Sequence, residues 1–170
     1  GRFISTSELL AATGPDTPGA DRLAVHEVPL DVSPAPEGAK VEDVRKRQLD
    51  FDTTLRALMD AARTDAKPHA VFINTGGHWV TMVVCPHKKG AGFDSLIFNS
   101  RLAHPDADQD RILSALRASE AWKAAGNSTP RYGARPLQSV DNLVVGHGCG
   151  AFAVMTVESL RDCLAQHPDA

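Results

Sequence analysis

Apolar residues dominate three short stretches in the middle of the chain, and few charged residues interrupt them. These stretches are His69–Asn74, Trp79–Cys85 and Phe93–Ser100. Their β-branched and aromatic residues are typical of strands in the centre of a sheet. The glycine and lysine residues of the segment Pro86–Gly92 predict a turn that joins the last two strands as a hairpin. Two weaker strands are predicted at Leu23–Leu30, where apolar and polar residues alternate, and at Arg131–Leu137.

Four other stretches show the periodicity or the capping residues of helices. They are Thr6–Ala12, Val41–Arg63, Asp108–Lys123 and Cys149–Ala165. The second of these is either one long helix or two short helices that break near Asp50–Asp52. Because helices and strands alternate along the chain, the sequence predicts an α+β or α/β fold in which helices pack against a sheet.

Composition and charge exclude several classes of function. The 170 residues fit a single domain, and a net charge of -3 with a pI near 6.2 gives no electrostatic footprint for nucleic acid. No apolar stretch in the sequence has the length of a membrane span. Cys85, Cys149 and Cys163 form no CxxC pair, which argues against a disulfide framework and favours a reducing intracellular compartment.

A candidate nucleophile stands at the start of the last predicted helix. Cys149 lies between Gly148 and Gly150, and although a small cysteine here also suits packing, unpaired N–H groups and the helix dipole favour a thiolate. The two glycines allow a sharp turn and the close approach of a substrate. His147 and Cys149 are also residue types that bind metals, but the chain has no second ligand pair with metal-site spacing.

The predicted hairpin brings a histidine and an amide side chain together. If the turn lies symmetrically between the two strands, His78 is opposite Asn99, and their β-carbons are about 5 Å apart. An amide oxygen can fix the tautomer and the orientation of an imidazole that acts as a base, as a carboxylate does. Asp94, expected opposite Val83, is a second candidate for this orienting role, and Asp106 is a third.

The order of these residues resembles that of a known family. Gly77-His78-Trp79 precedes a hydrophobic strand, the next strand ends in Asn99-Ser100-Arg101-Leu102, and Gln138 and Cys149-Gly150 follow. This pattern is similar to that of the CE clan of cysteine proteases, which includes the Ulp/SENP ubiquitin-like proteases, the adenovirus protease and bacterial effector deubiquitinases. The resemblance covers roughly residues 69 to 165. It implies a papain-like or Ulp-like fold of the α+β class, with a mixed central sheet flanked by helices and the nucleophile at the start of a buried helix.

The resemblance implies a role for each matching residue. Cys149 would be the nucleophile, His78 the general base and Asn99 the orienting residue, where the family usually has a carboxylate. Gln138 would donate a hydrogen bond to the oxyanion, together with the backbone N–H of Cys149. Because Gln138 lies farther from Cys149 than is typical of the family, Asn142 is an alternative donor.

The resemblance also implies a narrow substrate-binding groove that accepts glycine. Trp79 would cover this groove, and Gly148 and Gly150 would border it. The whole chain is expected to form one catalytic domain. Within it, residues 1–65 would be a variable substrate-binding region with a helix, and residues 66–170 would be the catalytic core.

The activity implied by the resemblance is that of a thiol hydrolase that cleaves after the C-terminal glycine of ubiquitin or a ubiquitin-like modifier. Such a deubiquitinase, deSUMOylase or deneddylase needs no cofactor and no metal, and we expect a monomer that binds the glycine tail of the modifier. Similarity to bacterial effectors implies secretion by a bacterium into a host cytoplasm. Two other interpretations stay open: an acetyltransferase of the same clan that uses acetyl-CoA, and a module that binds ubiquitin-like proteins without cleaving them.

Overall fold

The computed structural model describes residues 4–100, 105–132 and 149–167, apart from the side chains of Pro105, Asp106 and Cys149. The helices are α1 (Thr6–Thr13), α2 (Val41–Asp65), α3 (Pro105–Ala118), α4 (Glu120–Ala124) and α5 (Cys149–Gln166). The strands are β1 (Ala24–Val25), β2 (Leu30–Asp31), β3 (His69–Asn74), β4 (Trp79–Pro86), β5 (Phe93–Phe98) and β6 (Arg131–Tyr132). Within these ranges, no helix combines the length and the apolar composition that crossing a membrane requires.

The strands form one mixed sheet in the order β1-β3-β4-β5-β6, and β2 also pairs with β3. β3, β4 and β5 are antiparallel neighbours, whereas β1 and β2 run parallel to β3 and β6 runs parallel to β5. Residues 1–65 and residues 66–170 therefore both contribute strands to one sheet, because β1 and β2 precede α2 in the sequence and β3 to β6 follow it. The predicted α+β fold with a mixed sheet flanked by helices is confirmed.

Helices cover both faces of the sheet, which explains why its central strands are apolar on both sides. Successive side chains of a strand point to opposite faces. Val80, Met82 and Val84 of β4 accordingly pack with α2, α3 and α4, whereas Trp79 and Val83 pack with α1 and α5. The continuous apolar run of β4 therefore belongs to two separate hydrophobic clusters, one on each face.

α2 is a single helix, which decides between the two alternatives that the sequence left open. No break occurs near Asp50–Asp52, and Asp52 has a structural role there. Its Oδ1 atom accepts hydrogen bonds from Ser119 Oγ at 2.6 Å and from Ala121 N–H at 3.0 Å. These bonds lower the pKa of the Asp52 carboxyl, and the Ser119 hydroxyl has the larger effect. Asp52 thus links the middle of α2 to the start of α4.

The helix predicted at Asp108–Lys123 was wrong as one element, because the chain forms α3 and α4 with a break at Ser119. Ser119 has an extended backbone, and its hydroxyl accepts from Trp122 N–H at 3.2 Å as an N-cap. The strand predicted at Leu23–Leu30 was also wrong as one element, because β1 and β2 pair separately with β3. Pro29 lies between them and has no N–H to donate to β3.

α5 is held against the N-terminal part of the chain by a buried arginine. Arg161 is 3% exposed, and its guanidinium donates to the carbonyls of Leu23 and Thr13 at 3.1 and 2.8 Å and to the Thr17 hydroxyl at 2.9 Å. Burial lowers the pKa of Arg161, but a guanidinium remains charged at neutral pH. One side chain thereby links three points of the N-terminal region to the helix that begins at Cys149.

Candidate functional site

A short turn between β3 and β4 places His78 at one edge of the sheet. Thr75 N–H donates to the His78 carbonyl at 3.0 Å, which closes the turn. The Asn74 side chain accepts from Gly76 N–H at 2.9 Å. Gly76 and Gly77 have φ angles of +111° and +70°, which residues with a Cβ rarely adopt, so this turn depends on glycine. The turn leaves His78 buried immediately before β4 begins.

Asn99 reaches His78 from the neighbouring strand. β5 ends at Phe98, and Asn99 follows it at the same edge of the sheet because β4 and β5 are antiparallel. The His78 Nε2 and Asn99 Oδ1 atoms are 2.7 Å apart, and both side chains are buried. The structure therefore brings together the histidine and the amide that the sequence predicted as partners.

The hairpin register that led to this prediction was wrong by two residues. Asp94 pairs with Cys85 rather than with Val83, so Asn99 is a diagonal neighbour of His78 and does not lie directly opposite. The turn between β4 and β5 is centred one residue later than a symmetric placement would put it. Gly90, whose φ is +89°, lies in the second half of this turn. The two side chains still meet because diagonal neighbours on one face of a sheet are within reach of long side chains.

The contact determines which ring nitrogen of His78 is basic. An amide oxygen only accepts hydrogen bonds, so His78 Nε2 donates, and Nδ1 is the basic nitrogen of the neutral ring. The nitrogen of the Asn99 amide supports this orientation of the amide, because Asn99 Nδ2 donates to Asp108 Oδ2 at 3.3 Å. An imidazole held in this way can remove a proton from a thiol that approaches Nδ1.

Asp108 is a site residue that the sequence analysis missed. It belongs to α3, its side chain is 0% exposed, and its Oδ2 atom lies 3.7 Å from His78 Nε2. Arg111 Nη1 lies 3.7 Å from the other carboxylate oxygen and donates to the Thr75 carbonyl at 2.9 Å. The sequence contained a signal for this position, because Asp108 precedes the inward-facing Ile112 by one helical turn and so shares its buried face.

Asp94, the second candidate for orienting His78, is excluded by its position. It lies near the turn end of the hairpin, its side chain is 77% exposed, and it contacts His87 Nε2 at 3.0 Å. His78 lies at the opposite end of β4. The third candidate, Asp106, has a side chain outside the described residues.

Trp79 and Gly150, two predicted substrate-binding residues, both contact Ile4 near the N-terminus. The Trp79 indole N–H donates to the Ile4 carbonyl at 2.8 Å, and the indole is buried. Gly150 lies in the first turn of α5, where an added methyl carbon would be 2.7 Å from Ile4 Cβ. Ile4 therefore links the start of α5 to the residue that follows His78 in the chain.

α5 begins at Cys149, as predicted, but the Cys149 side chain lies outside the described residues. Gln138, Asn142, His147 and Gly148 also lie outside them. Their predicted roles, including that of the oxyanion donor, stay predictions. Among the described residues, no group of three or more His, Cys, Asp or Glu side chains is placed to hold a metal ion.

Neither of the two other cysteines stands at the start of a helix. Cys85 is partly buried in β4, and burial, followed by the negative charge of Asp94, raises the pKa of its thiol. A raised pKa favours the unreactive thiol form at neutral pH. Cys163 is an exposed residue near the end of α5, remote in sequence from the helix start.

Comparison with known proteins supports the fold. No protein-family model matches the sequence, and a search of curated proteins finds no match. Among solved structures, the chain is similar to the effector protein RickCE of Rickettsia bellii, with a TM-score of 0.61 and 14% sequence identity. The alignment covers 94% of this chain and 84% of that chain. At this identity the likeness shows a shared fold alone, so the chain has the fold of a bacterial effector protein.

Proposed function

We propose that this protein is a cysteine protease of papain-like fold that cleaves after the C-terminal glycine of ubiquitin or a ubiquitin-like modifier. The observation that carries the proposal is the buried 2.7 Å contact between His78 Nε2 and Asn99 Oδ1. It leaves Nδ1 as the base, and the chain supplies a cysteine at the start of a helix, Cys149, where a thiolate is favoured. Base, orienting amide and helix-start thiol are the parts that nucleophilic acyl transfer requires.

In the proposed reaction, His78 Nδ1 removes the proton from the Cys149 thiol, and the thiolate attacks the carbonyl carbon of the terminal glycine. The carbonyl electron pair moves onto oxygen, where the backbone N–H of Cys149 and the side chain of Gln138 or Asn142 stabilise the negative charge. Collapse of this intermediate breaks the bond to the leaving amine, which receives the proton from His78. A thioester between Cys149 and the modifier remains.

Water completes the reaction in a second half that mirrors the first. His78 removes a proton from a water molecule, which attacks the thioester carbonyl. Collapse of the second intermediate breaks the carbon–sulfur bond, and the modifier leaves with a free glycine carboxylate. Cys149 is released as the thiolate beside a protonated His78, so the pair is ready for the next substrate.

The proposed substrate specificity depends on a groove that only glycine can enter. Trp79, Gly148 and Gly150 are its proposed walls, and side chains larger than glycine would clash with them. Ile4 already contacts both Trp79 and Gly150, so the N-terminal segment would form part of this groove. The likeness to a Rickettsia effector supports, as a further part of the proposal, secretion by a bacterium and action in the reducing cytoplasm of a host.

The test uses fluorogenic substrates and electrophilic probes built on the C-termini of ubiquitin and of ubiquitin-like modifiers. Cys149→Ala is expected to reduce turnover by at least about 10³-fold, because the nucleophile is lost. Cys163→Ala is the matched control, since it removes an exposed thiol from the same helix and should leave turnover unchanged. Probe labelling should follow the same pattern. Equal turnover in Cys149→Ala and in the unmodified protein would reject the proposal.

The same proteins separate the two other interpretations. Incubation with radiolabelled acetyl-CoA would leave label on Cys149 or on a partner protein if the activity is acetyl transfer. Binding of a ubiquitin-like protein without turnover and without probe labelling would indicate a binding module. Either result contradicts the proposed protease.

A further inference from the structure

A buried carboxylate lies behind the predicted orienting amide. The Asp108 side chain is 0% exposed, and its Oδ2 atom is 3.3 Å from Asn99 Nδ2 and 3.7 Å from His78 Nε2. A carboxylate is expensive to bury, so its burial beside these two groups calls for a physical reason. Among the described residues, Arg111 is a charged side chain close to the other carboxylate oxygen of Asp108, at 3.7 Å, and it is itself partly exposed.

Asp108 determines which way the Asn99 amide faces. An amide has an accepting oxygen and a donating nitrogen, whereas a carboxylate only accepts. With Nδ2 directed at Asp108, Oδ1 is directed at His78 Nε2. Rotating the amide by half a turn would place its oxygen against the carboxylate, where two acceptors repel each other, and would place an N–H donor against the Nε2 that must donate.

Asp108 also provides a negative charge that Asn99 lacks. When His78 takes a proton, the ring becomes an imidazolium, and a neutral amide can orient that cation without stabilising its charge. The Asp108 carboxylate is close enough to do so, and burial keeps solvent from screening the interaction.

We propose that Asp108 is a positioning residue, and that the work of the usual catalytic carboxylate is divided between two side chains in this protein. Asn99 contacts the histidine, while Asp108 fixes the amide and supplies the charge. This inference rests on the proposed function, because it concerns how His78 is held as a base.

The test is a double-mutant cycle that exchanges the amide and the carboxylate. D108N keeps the size of the side chain but removes the charge and the fixed amide direction, so we expect a roughly 10- to 100-fold lower kcat with little change in KM. N99D places two carboxylates together and should also lower kcat. The double variant N99D/D108N restores one carboxylate and one amide in the pair. Its kcat should be roughly tenfold above that of either single variant.

Two controls keep the cycle interpretable. D110N removes the same charge from an exposed position on α3 and should have unchanged kinetics. Thermal unfolding of every variant separates a loss of catalysis from a loss of folded protein. The role of Asp108 would be overturned if the fold reduction in kcat of the double variant equals the product of the two single reductions. A folded D108N with unchanged kcat would also overturn it.

A spectroscopic readout makes the inference testable apart from activity. In protein labelled with ¹⁵N-histidine, His78 should show the Nε2–H tautomer, and D108N should reduce its population while D110N should not. This measurement can be made in the Cys149→Ala background. Turnover that survives Cys149→Ala rejects the proposed function whatever the tautomer, whereas an unchanged tautomer in D108N rejects only the role of Asp108.

Discussion

Replacing Arg161 with methionine tests how the N-terminal region is held against α5. The buried guanidinium makes hydrogen bonds of 2.8 to 3.1 Å to Thr13, Thr17 and Leu23, and methionine keeps the aliphatic stem but none of the donors. Each acceptor left buried without a donor costs about 1–3 kcal/mol, and release of the buried charge offsets part of that loss. We therefore expect the free energy of unfolding to fall by about 3 kcal/mol. For a domain of this size the Tm should fall by about 6–12 °C.

Chemical and thermal unfolding followed by circular dichroism measure this change. Arg117→Met is the control, because Arg117 is exposed on α3 and its replacement should change stability by less than about 0.5 kcal/mol. The free energy of unfolding of Arg161→Lys should lie between those of Arg161→Met and Arg117→Met, since a lysine keeps the charge but has fewer donors in a less suitable geometry. If Arg161→Met is as stable as Arg117→Met, the three hydrogen bonds do not hold the N-terminal region in place.

Two further changes test contacts that the sequence did not reveal. Asp52→Ala should lower the free energy of unfolding by about 1–2 kcal/mol at pH 7, because Ser119 loses its acceptor and α4 loses a cap. The pKa of Asp52 is lowered in the folded protein, so its contribution to the free energy of unfolding is present above the ordinary carboxyl pKa and is lost as the pH falls through the folded value. Urea titrations should therefore show a smaller difference in stability between the unmodified protein and Asp52→Ala at about pH 3 than at pH 7. Gly150→Ala should lower the Tm because the new methyl overlaps Ile4, and the double variant with Ile4→Gly, which also removes the Ile4 Cβ, should recover part of the loss; a Gly150→Ala protein with an unchanged Tm would contradict this packing.

The sequence by itself determined most of the elements and one half of the site. Strand β3 has the predicted bounds, β4 begins at the predicted residue, and α5 begins at Cys149, because local periodicity and turn residues specify these features. The partnership of His78 and Asn99 was also predictable despite the wrong register. An antiparallel hairpin brings the start of one strand and the end of the next to the same sheet edge whether or not the register is off by two residues.

Tertiary structure decided the features that depend on contacts between distant segments. The break at Ser119 combines a local N-cap with an acceptor that Asp52 provides on another helix, and no local pattern contains that second contact. The helical periodicity places Asp108 on the buried face of α3, but it is a site residue only because α3 packs that face against the sheet edge that carries His78. Local propensity specifies where a helix or strand forms, but the side chains that it brings together depend on packing across the whole fold.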